Sequence, residues 1–143
     1  MSPDFTVRLT DWARDALRLT AVRRSVFIEE QSIPESLEWD DADLACVHAL
    51  ACTGAGEAIG CGRLIADGHI GRLAVLPGWR RRGVGAALLA SLVEAARLHG
   101  HRRVALNAQV HAMAFYARYG FEAEGPTFAE AGIPHRAMVR ALG

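Results

Sequence analysis

Residues 70 to 110 read as strand, glycine-bearing turn, long helix and strand, an order that leaves little freedom of topology. Ile70 to Leu76 is an apolar run rich in strand formers, and Pro77-Gly78 breaks it. From Gly83 to His99 the apolar residues Leu88, Leu89, Leu92, Val93 and Ala96 recur at helical spacing, and Gly100 is a natural stop. Val104, Leu106, Ala108 and Val110 then alternate with Asn107 and Gln109, the period of a strand. Two strands joined through a helix lie parallel, with a right-handed crossover.

The rest of the chain supplies antiparallel partners for that unit. Phe5 to Leu9 reads as a first strand. Asp11 fits an N-cap for a helix running to about Gln31, with Ala13, Leu17, Ala21 and Val22 as its apolar stripe; Pro34 interrupts it. Val47 to Cys52 and Ala58 to Ala66 are strands separated by the turn Thr53 to Gly56, and Asp67-Gly68 signals a tight hairpin into Ile70. After the parallel unit come a short helix from Ala112 to Tyr119, closed by Gly120, and a strand from Phe121 to Glu124. Glycines and prolines punctuate Gly125 to Pro134, and His135 to Arg140 reads as the last strand. The expected organisation is one α/β domain over residues 1–143.

The composition excludes several functions. Sixteen basic and sixteen acidic residues cancel, so no global basic field attracts nucleic acid. Every basic residue is arginine. A Schiff-base lysine and the lysine of a nucleotide P-loop are therefore both absent. Cys46, Cys52 and Cys61 are odd in number, fit no zinc spacing and sit in apolar strands. They read as buried thiols in a reducing cytoplasm. No apolar run approaches the ~18 residues of a membrane span, and no secretory leader pattern precedes the first strand. His48 and His135 lack companions at metal-ligand spacing and read as pocket or core residues, so no metal is expected.

Arg80-Arg81-Arg82-Gly83-Val84-Gly85 lies between the strand and the long helix. The first N–H groups of a helix lack intrahelical partners and favour anions. Gly83 and Gly85 let phosphate oxygens approach the backbone, and Arg80, Arg81 and Arg82 add charge-assisted contacts. A P-loop requires Lys and Ser/Thr after its second glycine, where Val84 and Gly85 stand. The dinucleotide fingerprint requires a third glycine where Leu88 stands. A bare basic loop capping a helix remains the bland alternative, although two glycines there cost stability unless the backbone is used.

Arg80-x-x-Gly83-x-Gly85 matches the Q/R-x-x-G-x-G/A motif of the GNAT superfamily of N-acetyltransferases, which the chain resembles over nearly its whole length. Ile70 to Pro77 resembles that family's central strand, and Ala112 to Phe121 its later A-x-x-F-Y-x-x-x-G-F element. Arg23 to Gln31, His48 and Gly132-Ile133-Pro134-His135-x-x-Met138 further resemble the ElaA-like branch. The resemblance implies a mixed, mainly antiparallel sheet with a splayed parallel strand pair and helices on both faces. It implies acetyl-CoA as co-substrate, lying between Ile70–Leu76 and Val104–Val110. The strand residues Leu73, Ala74 and Val75 would pair with the pantetheine arm, chiefly through Leu73 and Val75. The backbone from Arg81 through Gly83, Val84 and Gly85 to Ala86 would hold the pyrophosphate. Asn107 would offer its amide to the pantetheine.

Transfer in this family is direct, and Tyr116 matches the general acid. With ordinary pKa values, ~10 for a phenol and ~8.5 for a thiol, full proton transfer costs about 2 kcal/mol, so hydrogen bonding to the leaving sulfur is enough. The attacking amine must also lose a proton, and Glu29, Glu30, Glu38, Asp40 and His111 are the candidate bases or substrate contacts. The acidic stretch Glu35 to Asp43 points to a cationic acceptor, or is a merely solvated loop. The expected partner is thus a small-molecule or peptide amine, with no nucleic acid and no membrane; a homodimer is expected from the family alone. A non-catalytic acyl-CoA-binding regulatory module and a nucleotide-phosphate binder stay open as rivals.

Overall fold

A computed structural model of the protein describes residues 4–143. Four strands form an antiparallel meander: β1 (Phe5–Thr10), β2 (Val47–Thr53), β3 (Ala58–Leu64) and β4 (Ile70–Val75), in that spatial order. The central strands β2 and β3 are buried almost throughout, because helices cover both faces of the sheet. On one face lies α1 (Trp12–Arg23), which continues as a π-helical stretch from Arg24 to Glu30. On the other lies α3 (Val84–Leu98), whose buried stripe includes the predicted Leu88, Leu89, Leu92, Val93 and Ala96. Gly60 and Gly62 permit that approach: a Cβ on either would sit 2.9 and 2.8 Å from Leu88 and Leu92 methyl carbons.

A second sheet has the order β5 (Arg103–Gln109), β7 (Ile133–Ala141), β6 (Glu122–Glu130). The sheets meet at a single parallel bridge, His69 to Ala105, where the Ala105 N–H donates to the Gly68 carbonyl at 3.2 Å. Beyond that bridge β4 and β5 part, as the resemblance implied. A bulge bends β4 where they part: the pairing with β3 shifts between Cys61 and Arg63, and Arg72 adopts φ +51°. Among the described residues, no helix is long and apolar enough to cross a membrane.

Three expectations change. The stripe Ala13, Leu17, Ala21 is exposed, with Leu17 88% accessible; Val22 alone of that stripe is buried. The face α1 turns inward carries Asp15, Leu19, Val22 and Arg23. A count of apolar residues misses it because two of its members are charged. The glycine- and proline-rich stretch does not separate the last strands: β6 extends through it to Glu130. Gly125 (φ +75°) carries a register shift there, and β6 is an edge strand, where Pro126 sacrifices no ladder bond.

The third change concerns the acidic stretch: Glu35, Asp40 and Asp41 are exposed, but Glu38 and Asp43 are buried and, with Asp40, committed to arginines. It forms α2 (Glu35–Glu38) and a 3₁₀ turn, Asp41–Ala45. Buried Arg23 donates to Glu38 Oε2 at 2.8 Å and to Asp43 Oδ1 at 2.7 Å, its guanidinium lying between the Trp12 and Trp39 rings. Arg63 grips Asp40 with two 2.8 Å bonds and reaches Asp43 at 2.9 Å. Arg72 completes the network, 3.2 Å from Glu38 and 3.4 Å from Asp40. Three guanidinium groups thus balance three carboxylates. His48 is a core residue beneath them: it bonds the Asp43 carbonyl at 2.9 Å, and burial pushes its pKa down, which keeps it neutral.

Candidate active site

A cleft of about 1430 Å³ opens where β4 and β5 part. One wall is the free edge of β4 with Leu73, Ala74 and Val75; the opposite wall carries Asn107 and Gln109 of β5. Tyr116, on the short helix α4 (Met113–Arg118), lies against it, and the turn before α3 closes one end through Arg81, Gly83, Gly85 and Ala86. Most of the residues proposed from the sequence for the coenzyme, together with Tyr116, therefore line one space; the Arg82 and Val84 side chains do not.

The turn is built around left-handed backbone. Arg81 has φ +62° and Gly83, the N-cap of α3, has φ +85°. Such a conformation costs a non-glycine residue about 1–2 kcal/mol. The Gly83 carbonyl accepts the first helical bond, from Ala87 at 3.0 Å, and no side chain caps the helix. The N–H groups of Val84, Gly85 and Ala86 are thereby left for an anion. Val84 contributes only through its backbone, since its side chain is buried in the core. Gly85 packs its α-carbon against the Phe115 ring, which an added Cβ would meet at 3.4 Å.

The three arginine side chains, all expected to contact phosphate, have different partners. Arg80 turns back across the cleft mouth: its two terminal nitrogens hold Glu30 at 2.7 and 2.6 Å, and its Nε donates to the Val75 carbonyl at 3.0 Å. One of the two β4 residues expected to pair with pantetheine thus has its carbonyl already engaged. Arg82 lies over the Trp79 ring at 4.8 Å. Arg81 is exposed and lines the cleft.

The Tyr116 hydroxyl is pushed up to about 12, with burial as the cause and no charged neighbour contributing. Its ring packs edge-on against Phe115 and Phe121, at 5.1 and 6.0 Å between centroids. The three cysteines are buried and unpaired, and burial raises the Cys61 thiol to about 12, which disqualifies it as a nucleophile.

Most of the candidate bases are compromised. Glu30 is held below the usual carboxylate range by Arg80. Asp40 is held down to about 2 by Arg63 and does not line the cleft. Glu38 reaches the cleft and burial raises its pKa, but it is locked between Arg23 and Arg72. Glu29 is exposed away from the cleft. His111 lines it, with Nε2 donating to Gln109 Oε1 at 2.6 Å. Gln109 in turn donates to Gln31 at 2.9 Å, so a polar strap joins the end of β5 to the end of the first helix. Sequence reasoning missed Gln31, Gln109, Arg72 and Glu130 on this wall. Strand alternation marked Gln109, and Gln31 and Arg72 stood only within family-like segments with no role of their own; nothing local marked Glu130. Among the described residues no three His, Cys, Asp or Glu side chains gather as a metal-binding group.

Comparison with known proteins agrees with this architecture. The acetyltransferase (GNAT) domain family matches residues 18–142. YjcF of Bacillus subtilis (strain 168), an uncharacterized N-acetyltransferase, is 34% identical over 123 residues, covering 83% of this chain and 87% of its own. Escherichia coli (strain K12) ElaA is 30% identical over 130 residues, covering 85% and 84%. The crystal structure of ElaA superposes with a TM-score of 0.84 over 95% of this chain and 99% of its own, at 27% identity. That of an acyl-CoA N-acyltransferase from Pseudomonas aeruginosa gives 0.84 over 96% and 99%, at 32% identity. The motif, the parted strand pair and these likenesses agree, and the chain belongs to the GNAT family of acyl-CoA N-acyltransferases, in its ElaA-like branch.

Proposed function

We propose that the protein transfers an acetyl group from acetyl-CoA directly to a primary amine on a small molecule or peptide. The observation that carries this reading is the wedge between β4 and β5, with an uncapped helix end at one extremity and Tyr116 on its wall. The residues present suit the coenzyme. Val84, Gly85 and Ala86 offer N–H groups to the pyrophosphate, with Arg81 as the uncommitted cation. The β4 edge offers main-chain partners to an extended arm, as an added strand would use. Asn107 offers its amide from the facing strand.

The amine nitrogen attacks the thioester carbonyl; a C–N bond forms, the C–S bond breaks, and the sulfur leaves with the electron pair. Tyr116, with a pKa of about 12, is a poor proton source for a thiolate of pKa ~8.5: complete transfer costs about 5 kcal/mol. Its role in this reading is to donate a hydrogen bond to the developing thiolate, while the cleft aligns the reactants. No acyl-enzyme is needed, and the buried cysteines offer no site for one. Three unpaired thiols also suit a reducing, cytoplasmic setting. The test is release of free thiol from acetyl-CoA that depends on added amine.

A further inference from the structure

His135 sits at the start of β7, directly opposite Gln109 of β5, and its side chain is only 8% exposed. It lines the cleft together with Glu130. The β6–β7 turn places them: Ala131 (φ +52°) and Gly132 (φ +77°) form a two-residue hairpin that pairs Glu130 with Ile133. Phe128, opposite His135 on β6, stacks on the imidazole at 6.0 Å and 23°.

The bonding of the ring fixes its tautomer. Nδ1 lies 2.7 Å from the Ile133 carbonyl oxygen, which can only accept, so Nδ1 carries the hydrogen. In the neutral ring the lone pair is therefore on Nε2. Nε2 lies 3.5 Å from Glu130 Oε2. Each of the carboxylates Glu30, Glu38 and Asp40 is held by arginine. His111 donates its Nε2 hydrogen to Gln109 and keeps its lone pair on Nδ1, but its ring is exposed, whereas that of His135 is buried at the cleft wall.

We infer that His135 is the base that removes the proton from the acceptor ammonium, with Glu130 as the carboxylate that stabilises the resulting imidazolium. This rests on the transfer reading above. The Nε2 lone pair takes one N–H proton and the amine keeps the freed electron pair. That pair forms the C–N bond as the C–S bond breaks; the nitrogen then gives its second proton to the departing thiolate, which leaves as the free thiol, and the imidazolium passes its own proton to water. The titratable groups facing the ring are Glu130 from β6 and His111, reached through Gln109; Arg136 turns away to the Gly125 carbonyl.

The discriminating experiment compares acceptors that do and do not need deprotonation. Methylamine, ethylenediamine and glycinamide serve as alkylamines; O-methylhydroxylamine is already neutral at neutral pH. His135→Asn retains an N–H donor toward the Ile133 carbonyl but has no basic nitrogen. It is expected to lower kcat/KM for the best alkylamine ~100-fold or more, the scale of general-base catalysis. Transfer to O-methylhydroxylamine and the Kd for coenzyme A should stay within a few-fold. Equal losses for both acceptor types, or no loss for either, overturn the inference. If His135→Asn fails to fold, Glu130→Gln replaces it, since Glu130 is exposed. There a several-fold loss confined to the alkylamines is expected, and an unchanged acceptor ratio overturns the inference. No thiol release by the wild-type chain with any amine overturns the transfer reading itself, and the base with it.

Discussion

Glu30 and Arg80, fifty positions apart in the chain, form a two-pronged ion pair across the mouth of the cleft at 2.6 and 2.7 Å. The pair staples the end of the first helix to the segment between β4 and α3. It also draws one of three consecutive arginine charges away from the glycine-bearing turn before α3. The sequence motif places Arg80 correctly along the chain, yet its side chain points away from the helix end it precedes.

Removing Glu30 should return that charge to the coenzyme. In Glu30→Gln the Kd for coenzyme A is expected to tighten several-fold and to weaken more steeply with added salt than in the wild type, as an extra phosphate contact requires. The fold should barely respond, because both partners are more than a third exposed, at 40% and 38%, and such pairs contribute about 0.2–1 kcal/mol. Calorimetric titration at two ionic strengths checks the first expectation, and thermal melting the second.

Arg23 is the opposite case. It is 1% exposed, bound to Glu38 and Asp43, and flanked by two indole rings. Arg23→Met would leave Glu38 buried with only Arg72, and Asp43 with only Arg63. Removing one partner of a buried charge cluster costs about 3–5 kcal/mol. Urea denaturation should show that loss, whereas Arg24→Met, which breaks an exposed pair with Glu35 and a contact with the Trp39 ring, should shift the midpoint little.

Asp15 predicts how stability depends on pH. Hydrogen bonds from Arg8 at 2.7 Å and Thr10 at 2.6 Å hold its carboxyl at about 2 in the folded chain, below the ordinary ~4. A depressed folded pKa contributes stability above the unfolded value and loses it as pH falls through the folded one. The contribution is thus complete at neutral pH and disappears between roughly pH 4 and 2. Its size is on the order of 1–2 kcal/mol, discounted because Arg8 is half exposed. In Asp15→Asn, denaturation midpoints measured from neutral pH to pH ~3 should fall less steeply than in the wild type.

What could be read from the sequence divides along a physical line. The α3 stripe, the parallel unit and the glycine-bearing turn before α3 are local patterns of apolar spacing and glycine placement, and the structure has them at those residues. The inward face of α1 was misread because Asp15 and Arg23 are buried through partners that lie elsewhere in the chain. The burial of Glu38 and Asp43 in the acidic stretch was missed for the same reason: its countercharges come from α1, β3 and β4. Candidate bases failed similarly. Whether Glu30 or Asp40 is basic depends on which guanidinium meets it, and those partners lie 50 and 23 positions away. His135, expected as a pocket or core residue, is buried in the cleft wall, but its partners come from the β6–β7 turn and β5 and could not be read locally.

The central claim, that this wedge performs acetyl transfer with Tyr116 stabilising the leaving sulfur, is tested most directly by thiol release from acetyl-CoA across the amine panel. Wild-type protein and Tyr116→Phe are to be compared, with coenzyme binding measured in both. The account predicts amine-dependent release by the wild type and a roughly 10- to 100-fold lower kcat in the variant, the size of one hydrogen bond to a charged group. The Kd for coenzyme A should be nearly unchanged. Wild-type protein that binds coenzyme A yet releases no thiol with any amine, or a Tyr116→Phe variant as fast as the wild type, would contradict it.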